Sequence, residues 1–259
     1  MIKIFNEDCF ITMDKLLKND IKVDNIITSP FYNTGRGSKC HNSEKSLKNH
    51  EGRYDIHLDD MTNDEYIEFS IRLFNNFEKI LKKDGCILYN MNYGSENTDL
   101  MWIVIAEIIK NTDFTIVDDI IWKKKSALPN NTSHNKLTRI VEHIFVFCRK
   151  NEIKTFRTNK KVKSVSKKGQ KFYNNIFNFI EAKNNDGSCN LNKATYSTDL
   201  ILQLLDIYVK ENSLVYDPFM GTGTTANACK IKNINCIGSE ISKAQCEFAY
   251  ERLNNGVKE

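Results

Sequence analysis

Short apolar runs alternate with longer stretches of helical period along most of this 259-residue chain. Runs such as residues 86–89 and 214–216 have the length and composition of buried strands. The stretches between them carry apolar residues three and four positions apart, as one face of a helix does. The alternation predicts an α/β fold, with a twisted and mostly parallel sheet flanked by helices.

The strongest helix signal begins at Thr62, which forms with Glu65 the T-x-x-E pattern of a capping box. The residues that follow at helical spacing predict its buried face: Ile67, Ile71, Phe74, Phe77 and Leu81. Gly85 is predicted to end this helix. Further strands are predicted at residues 23–28, 114–122, 140–148 and 235–240, and further helices at residues 101–110 and near Thr198.

Residues 217–226, Asp-Pro-Phe-Met-Gly-Thr-Gly-Thr-Thr-Ala, follow a predicted strand and lead into a predicted helix. Small residues there let the backbone approach a ligand closely, and the amides of a helix N-terminus face that ligand. A phosphate-binding Walker loop would require Gly-Lys-Ser/Thr, and no lysine follows the glycines before Lys230. A dinucleotide fingerprint would end in a third glycine, where Ala226 is a tolerated variant, so nicotinamide binding stays open.

Two carboxylates near this turn favour a different ligand. Asp217 precedes the glycines, where its charge would repel a pyrophosphate but stabilise an ammonium group. Glu240 ends the next predicted strand, where it can accept hydrogen bonds from ribose hydroxyls. A ligand with a ribose, an ammonium group and no phosphate is S-adenosylmethionine. The candidates for binding it are Asp217, Phe219, Gly221, Gly223, Thr224 and Glu240. The alternative is a turn that serves only tight packing between strand and helix.

A second motif, Ser29-Pro30-Phe31-Tyr32, directly follows the strand predicted at residues 23–28. It resembles the Asp/Asn/Ser-Pro-Pro-Tyr/Phe motif of the amino-methylating DNA methyltransferases. Its place before the glycine-rich turn, with a basic section between them, is similar to the beta group of that family, a circular permutation of the common methyltransferase fold. The resemblance implies a Rossmann-like S-adenosylmethionine-dependent methyltransferase fold. It also implies an enzyme that methylates adenine N6 or cytosine N4 in double-stranded DNA after flipping the base out of the duplex.

The resemblance assigns the catalytic roles to Ser29, Pro30 and Tyr32. The Ser29 hydroxyl and the Pro30 carbonyl can each accept a hydrogen bond from the target amino group, and Tyr32 offers a flat face to the base. Phe31 stands where the family has its second proline. A catalytically inactive DNA-binding homologue therefore stays an alternative.

The permuted order gives the N-terminus a role as well. It implies a first strand at residues 2–6 that lies beside the strand ending at Glu240, which brings Asp8 to the adenine amino group of the cofactor. The same order divides the chain into three parts. Residues 1–150 are the expected catalytic part of the methyltransferase domain, residues 151–190 a basic insertion for target recognition, and residues 191–259 the cofactor-binding part.

Two basic sections are candidates for holding DNA. The loop after the catalytic motif contributes Arg36, Lys39 and Arg53. Residues 154–171 contain no acid and many basic residues, including Lys160, Lys161, Lys167 and Lys168. Lysine-rich sections mostly contact phosphates, which adds salt-dependent affinity without reading the sequence of bases. The alternative for each section is a solvated loop.

The remaining features concern other classes of protein. The eight cysteines form no C-x-x-C pair, so we expect no metal site and reduced thiols in the cytoplasm. No apolar run of about 18 residues predicts a membrane span, and residues 1–10 carry two acids and no apolar signal core. Duplex DNA is the expected partner, and a homodimer stays open. Methylation of an RNA base or of a protein glutamine amide is the alternative within the enzyme class.

Adenine and cytosine present an equivalent amino-bearing edge to the Ser29 hydroxyl and the Pro30 carbonyl. The motif therefore predicts the reaction at an exocyclic amino group and leaves both bases open.

Overall fold

The computed structural model describes residues 1–33, 61–94, 97–127, 129–131, 133–187, 192 and 195–255. The strands of these residues are β1 Ile2–Phe5, β2 Val23–Thr28, β3 Leu81–Met91, β4 Phe114–Lys124, β5 Val141–Arg149, β6 Val162–Val165, β7 Lys171–Tyr173, β8 Phe179–Ala182, β9 Leu214–Asp217 and β10 Asn235–Ser239. The helices are α1 Cys9–Lys18, α2 Asn63–Ile80, α3 Leu100–Asn111, α4 Thr198–Tyr208, α5 Thr224–Ile231 and α6 Lys243–Asn255. Each strand and helix predicted above is present, and β6, β7 and β8 are additions to them.

Among the described residues, eight strands form one sheet, in the order β1-β10-β9-β2-β3-β5-β4-β8. β5 is antiparallel to both of its neighbours, and every other pair in this sheet is parallel. β1 pairs with β10 along its whole length, from Ile2 to Phe5. The mostly parallel α/β sheet and the position of the first strand beside the strand before Glu240 are therefore confirmed.

The sheet changes its direction of winding between β9 and β2. From β9 the chain continues through α5 to β10 on one side, and from β2 it continues to β3 on the other. In open α/β sheets, ligands bind beyond the carboxyl ends of the strands at such a point. Here those ends carry residues 29–32 after β2 and the glycine-rich turn after β9. The topology thus brings the two sequence motifs together.

Helices cover both faces of the sheet and bury its alternating side chains. On β2, Ile26 packs in a core with α1, α2 and α3, and Ile27 packs in the opposite core with α4, α5 and α6. Such burial of successive residues is what a strand covered on both faces requires. Among the described residues, no helix is both long and apolar enough to cross a membrane.

The buried face of α2 is rotated relative to the predicted face. The prediction of the buried residues is therefore wrong in part. Ile67 and Ile71 are only half-buried, and the buried residues are Tyr66, Ser70, Leu73, Phe74, Phe77 and Ile80. The rotation buries two polar residues whose hydroxyls have partners. The Tyr66 hydroxyl donates to the Phe31 carbonyl at 2.5 Å, and the Ser70 hydroxyl donates to a carbonyl of its own helix at 2.8 Å. A pattern of apolar residues alone does not detect such a face.

The ends of α2 are set in two different ways. The helix begins at the predicted capping box, in which Thr62 and Glu65 bond reciprocally. It ends at Ile80, so the predicted helix stop at Gly85 is wrong. Gly85 lies within β3, where a Cβ atom would come within 2.7 Å of the Asp24 carbonyl oxygen. Close approach of β3 to β2 therefore requires this glycine.

The basic section contains more regular structure than the sequence predicts. β6 and β7 form a separate antiparallel pair, and β8 joins the edge of the main sheet beside β4. Only Ile180 and Ala182 are buried in β8. An alternation of exposed and buried residues over four positions is too short to predict a strand from the sequence. No strand or helix is predicted between residue 148 and Thr198, so these three strands were missed. The division of the chain at residues 150 and 190 stays a prediction.

Candidate functional site

A cavity of about 620 Å³ lies at the carboxyl ends of β1, β2, β9 and β10, within the usual size of small-molecule sites, about 300–1,000 Å³. Each of these strand ends contributes residues that the sequence singled out. They are Asp8 after β1, Ser29, Pro30 and Tyr32 after β2, Phe219, Gly221 and Thr224 after β9, and Glu240 after β10. Eight of the ten catalytic and cofactor-binding candidates thus line one cavity, and Gly223 and Asp217 do not.

The glycine-rich turn owes its shape to two residues with positive φ. Gly221 has a φ of +52° and Gly223, the residue before α5, has a φ of +80°, a conformation that is costly for residues with a side chain. A Cβ atom at Gly223 would also come within 2.7 Å of the Ala249 side chain in α6. Gly223 therefore serves the packing of the turn against α6, whereas Gly221 lines the cavity.

Glu240 holds the same turn from the next strand. Its Oε2 accepts a hydrogen bond from the Gly221 N–H at 2.8 Å, and its Oε1 accepts one from the Ser242 N–H at 2.8 Å. Burial raises the pKa of the Glu240 carboxyl above its ordinary value, and the two backbone hydrogen bonds oppose that rise. A carboxylate has about four acceptor positions. Glu240 can therefore hold the turn and still accept hydrogen bonds from a ligand.

Asp8 reaches the cavity as the N-cap of α1. Its Oδ1 accepts a hydrogen bond from the Phe10 N–H at 2.8 Å, which fixes the carboxylate at the start of the helix. Because Asp8 and Glu240 follow the paired strands β1 and β10, two carboxylates from neighbouring strands line the cavity. They suit a ligand that presents amino and hydroxyl donors. In the described part of the chain, no group of three or more His, Cys, Asp or Glu is placed to hold a metal ion.

The sequence places Asp217 against an ammonium group of the ligand, whereas the structure buries this residue completely, outside the lining of the cavity. Four donors surround its carboxylate at 2.5 to 3.1 Å: the hydroxyls of Thr28, Tyr196 and Thr225, and the Phe219 N–H. Burial raises the pKa of Asp217, and these hydrogen bonds oppose the rise. Asp217 therefore ties the end of β2 to the glycine-rich turn, and this geometry gives no support to a direct contact with a ligand.

Phe31 lies beneath the loop that carries Ser29 and Tyr32. It is buried and packs against the rings of Tyr66, Phe69 and Phe219, with centroid separations of 5.2 to 6.2 Å. Aromatic pairs at such separations contribute about 0.5–1.5 kcal/mol each beyond the burial of their area. An aromatic anchor thus stands where the resembled motif has a proline, and it holds the loop against α2 and the glycine-rich turn.

The Tyr32 hydroxyl has partners that the sequence did not single out. It lies 2.8 Å from Ser29 Oγ, 3.0 Å from Asn90 Oδ1 and 3.2 Å from Glu142 Oε2. Asn90 lies on β3 and Glu142 on β5, and the pairing of these strands brings the two residues together. No local sequence pattern marks either of them as a site residue.

The DNA-binding candidates fall into two groups. Arg36, Lys39 and Arg53 lie outside the described residues. The second group is exposed on or beside the β6–β7 pair: Lys160, Lys161, Lys167 and Lys168. None of these four lysines has an ion-pair partner within the described ranges. Exposed Phe172 and Tyr173 lie on β7, so this pair of strands combines cations with aromatic rings, as surfaces that bind nucleic acids do.

Comparisons with known proteins agree on one family and one fold. The model of a family described as DNA methylase matches residues 23–251. The chain is 25% identical over 272 residues to the type II methyltransferase M.BglII of Bacillus subtilis, covering 97% of this chain and 69% of that one. It is 25% identical over 273 residues to the orphan methyltransferase M.BamHII of Bacillus amyloliquefaciens, covering 92% of this chain and 91% of that one. The crystal structure of the M1.HpyAVI–SAM complex has the same fold, with a TM-score of 0.63 at 23% identity over 98% of this chain and 100% of that one.

Proposed function

The chain belongs to the DNA methylase family whose model matches residues 23–251, and on that premise we propose that it transfers the methyl group of S-adenosylmethionine to an exocyclic amino group in double-stranded DNA. The target is adenine N6 or cytosine N4. One observation carries the proposal: Ser29 and Pro30 of the catalytic motif line the same cavity as Gly221 of the glycine-rich turn and Glu240 after β10. Direct transfer requires that donor and acceptor be held in one such space.

The residues of the cavity fit S-adenosylmethionine. Glu240 would accept hydrogen bonds from the ribose hydroxyls, Asp8 would accept one from the adenine amino group, and the backbone at Gly221 allows a close approach. Membership of the DNA methylase family disfavours the dinucleotide alternative. When bound, the cofactor supplies an electrophilic methyl group on a sulfonium centre.

The chain's own residues address the weakness of the nucleophile. An exocyclic amine attacks poorly because its lone pair is conjugated with the ring. When Ser29 Oγ and the Pro30 carbonyl each accept one amino hydrogen, a tetrahedral nitrogen is favoured, with its lone pair directed at the donor methyl. Tyr32 gives the flipped base a ring on which to stack. Catalysis then depends on positioning and on preorganised hydrogen-bond acceptors, without a covalent enzyme intermediate.

A labelled-methyl transfer assay tests this proposal. The protein is incubated with S-adenosylmethionine labelled in its methyl group and with one of three acceptors: long duplex DNA of mixed sequence, RNA of the same sequence, or a glutamine-containing peptide. The proposal expects label in the duplex DNA. Label confined to the RNA or the peptide would favour the other enzyme activities, and no label in any acceptor would favour an inactive DNA-binding homologue.

Neutralising the lysines beside the β6–β7 pair is expected to weaken duplex binding and to reduce its dependence on salt. The variant replaces Lys160, Lys161, Lys167 and Lys168 by glutamine. Each phosphate contact that is lost removes about 0.9 from the slope of log affinity against log salt on B-DNA, because fewer counterions are released. Fluorescence anisotropy over a series of salt concentrations measures that slope.

A matched control carries the same four charge changes at exposed positions on other elements. It replaces the exposed residues Lys18, Lys79, Lys83 and Lys110, which lie near the carboxyl ends of α1, α2 and α3 or at the start of β3, away from the cavity. This control is expected to keep the wild-type slope. A wild-type slope in the first variant would show that the β6–β7 region does not contact DNA.

The proposal also covers the biological role, the cellular compartment and the oligomeric state of the protein. A role in restriction–modification is proposed because one relative is named as a type II methyltransferase. The cytoplasm is the proposed compartment, since the buried thiols of Cys86, Cys148 and Cys236 are free and DNA is the substrate. A homodimer stays a prediction, which sedimentation velocity would check.

A further inference from the structure

The Tyr32 hydroxyl forms a polar network whose hydrogen-bond direction bears on catalysis. Ser29 Oγ lies 2.8 Å from it, and either hydroxyl can be the donor of that bond. If Tyr32 donates this bond, the Ser29 hydroxyl proton is left to point in another direction. When that proton points at the target amine, it forms a hydrogen bond with the nitrogen lone pair that must attack the methyl group. If Ser29 donates, its oxygen offers only lone pairs to the amine. The direction of this one bond decides whether Ser29 helps or hinders methyl transfer.

Asn90 presents an acceptor to Tyr32. Its Nδ2 donates to the His143 carbonyl on the neighbouring strand β5 at 3.0 Å, and its Oδ1 lies 3.0 Å from the Tyr32 hydroxyl. The opposite orientation of this amide would place Oδ1 against the carbonyl oxygen of His143, where two acceptors would face each other. The backbone of β5 therefore fixes Asn90 with its oxygen toward Tyr32.

Glu142 presents a second acceptor. It is buried, and its Oε1 lies 2.5 Å from Lys124 Nζ, while its Oε2 lies 3.2 Å from the Tyr32 hydroxyl. The ion pair with Lys124 uses the carboxylate as an acceptor, and an ionised carboxylate has no hydrogen to donate. Glu142 can therefore only accept a hydrogen bond from Tyr32.

A phenol has one proton, and here an amide oxygen and a carboxylate oxygen are both placed to accept it. When either of them holds that proton, the bond between the two hydroxyls is donated by Ser29. We propose that Asn90 and Glu142 are positioning residues, which hold the Tyr32 proton on their side and so fix Ser29 as a pure hydrogen-bond acceptor toward the target amine. The inference rests on the proposed function, because it concerns the amine that is methylated.

Two substitutions made together are expected to reverse this bond. In Glu142→Gln, Lys124 holds the new amide oxygen, so the amide N–H faces Tyr32 and donates to it. Asn90→Leu removes the other acceptor. Each single variant keeps one group that directs the bond, whereas the double variant releases the phenol proton to turn toward Ser29.

We expect the two substitutions to act synergistically when the single-turnover rate of methyl transfer is measured. Each single variant is expected to lose little, and the double variant to lose more than the product of the single losses. The loss should stay below the roughly 10²–10³-fold cost of removing a preorganised hydrogen-bond partner altogether. In a Ser29→Ala background the synergy is expected to vanish, because no hydroxyl is left to turn.

Two outcomes of these cycles would overturn the inference. One is a double-variant loss that equals the product of the single losses. The other is a synergy that persists in Ser29→Ala, since displacement of the Tyr32 ring would then explain it. A fully active Ser29→Ala variant has a different meaning: it would overturn the proposed mechanism itself.

Tyr32→Phe gives a second test that does not depend on the folding of the double variant. It keeps the ring and removes the group that accepts the Ser29 proton, so a lower rate is expected, with no further loss in the Ser29→Ala background. Full activity of Tyr32→Phe would contradict the inference.

The matched control for Glu142→Gln is Glu152→Gln. Glu152 and Glu142 are both 7% exposed, but Glu152 pairs with Arg149. The Glu152→Gln variant is expected to keep the wild-type rate of methyl transfer.

Discussion

Replacing Ser29 by alanine is expected to lower the single-turnover rate of methyl transfer by about 10²–10³, the usual cost of removing one preorganised hydrogen-bond partner of a transition state. Ser29 lines the cavity, and its hydroxyl is proposed as one of two acceptors for the target amine, so the loss is expected in the chemical step. Cofactor affinity is expected to stay unchanged, because Ser29 is not among the residues proposed to bind it. Rapid-quench measurement with saturating cofactor and duplex DNA isolates that step.

Ser213→Ala is the matched control for this prediction. Ser213 is buried and precedes β9, at the end of the strand opposite to the cavity. The same loss of a hydroxyl is expected to leave the rate unchanged there. Full activity in Ser29→Ala would mean that the motif is only a structural turn, and the proposed mechanism would be abandoned.

The second large effect is expected at Asp217, in the stability of the fold. Alanine at this position removes the acceptor of four donors, of which the three hydroxyls are buried. Each buried polar group left unsatisfied costs about 1–3 kcal/mol, and since some of these donors can find other partners, the free energy of unfolding is expected to fall by about 2–5 kcal/mol. Asp217→Asn keeps one acceptor oxygen, and its amide can donate to the hydroxyls of Tyr196 and Thr225, so a much smaller loss is expected. Urea denaturation of both variants measures the difference.

The asparagine variant also distinguishes two roles of Asp217. If the residue only ties β2 to the glycine-rich turn, Asp217→Asn is expected to bind S-adenosylmethionine with nearly wild-type affinity in a calorimetric titration. If its charge pairs with the ammonium group of the cofactor, the affinity is expected to fall by about 1.5–3 kcal/mol, the value of a charged hydrogen bond. A stable Asp217→Asn protein that binds the cofactor poorly would contradict the structural interpretation.

The arrangement of the strands could be predicted because the order of the motifs constrains it. Asp8 and Glu240 lie near opposite ends of the sequence, yet the permuted order predicts neighbouring strands before them, and β1 does pair with β10. Parallel strands present their carboxyl ends at one edge of a sheet. Motifs that follow predicted strands were therefore sufficient to predict that most of the candidate residues meet at one edge of the sheet.

The direction of side chains could not be predicted in the same way. The sequence shows that Asp217 precedes the glycine-rich turn, but its carboxylate is directed by Thr28 and Tyr196, which lie 189 and 21 residues away along the chain. Tyr32 likewise meets Asn90 and Glu142 only because β3 pairs with β5. A local pattern gives the position of a residue in its element, whereas tertiary packing sets its hydrogen-bond partners.

Phe31 shows how far a departure from a motif can be interpreted from sequence. The missing second proline was visible at once, and with it the alternative of an inactive homologue. The aromatic cluster that holds Phe31 is built from α2 and from the glycine-rich turn, two segments far from it along the chain. The consequence of the substitution therefore became visible only in the folded protein.

Identification of the methylated nucleoside shows whether the methyl group is transferred to an exocyclic amino group. Duplex DNA treated with the protein and S-adenosylmethionine is digested to nucleosides, which are separated by chromatography and identified by mass against standards. We expect N6-methyl-2′-deoxyadenosine or N4-methyl-2′-deoxycytidine, formed far more slowly by Ser29→Ala. Formation of 5-methyl-2′-deoxycytidine, which the standards separate from its N4 isomer, would overturn the proposed function. The methyl group would then be on a ring carbon and not on the amino group that Ser29 and Pro30 are proposed to hold.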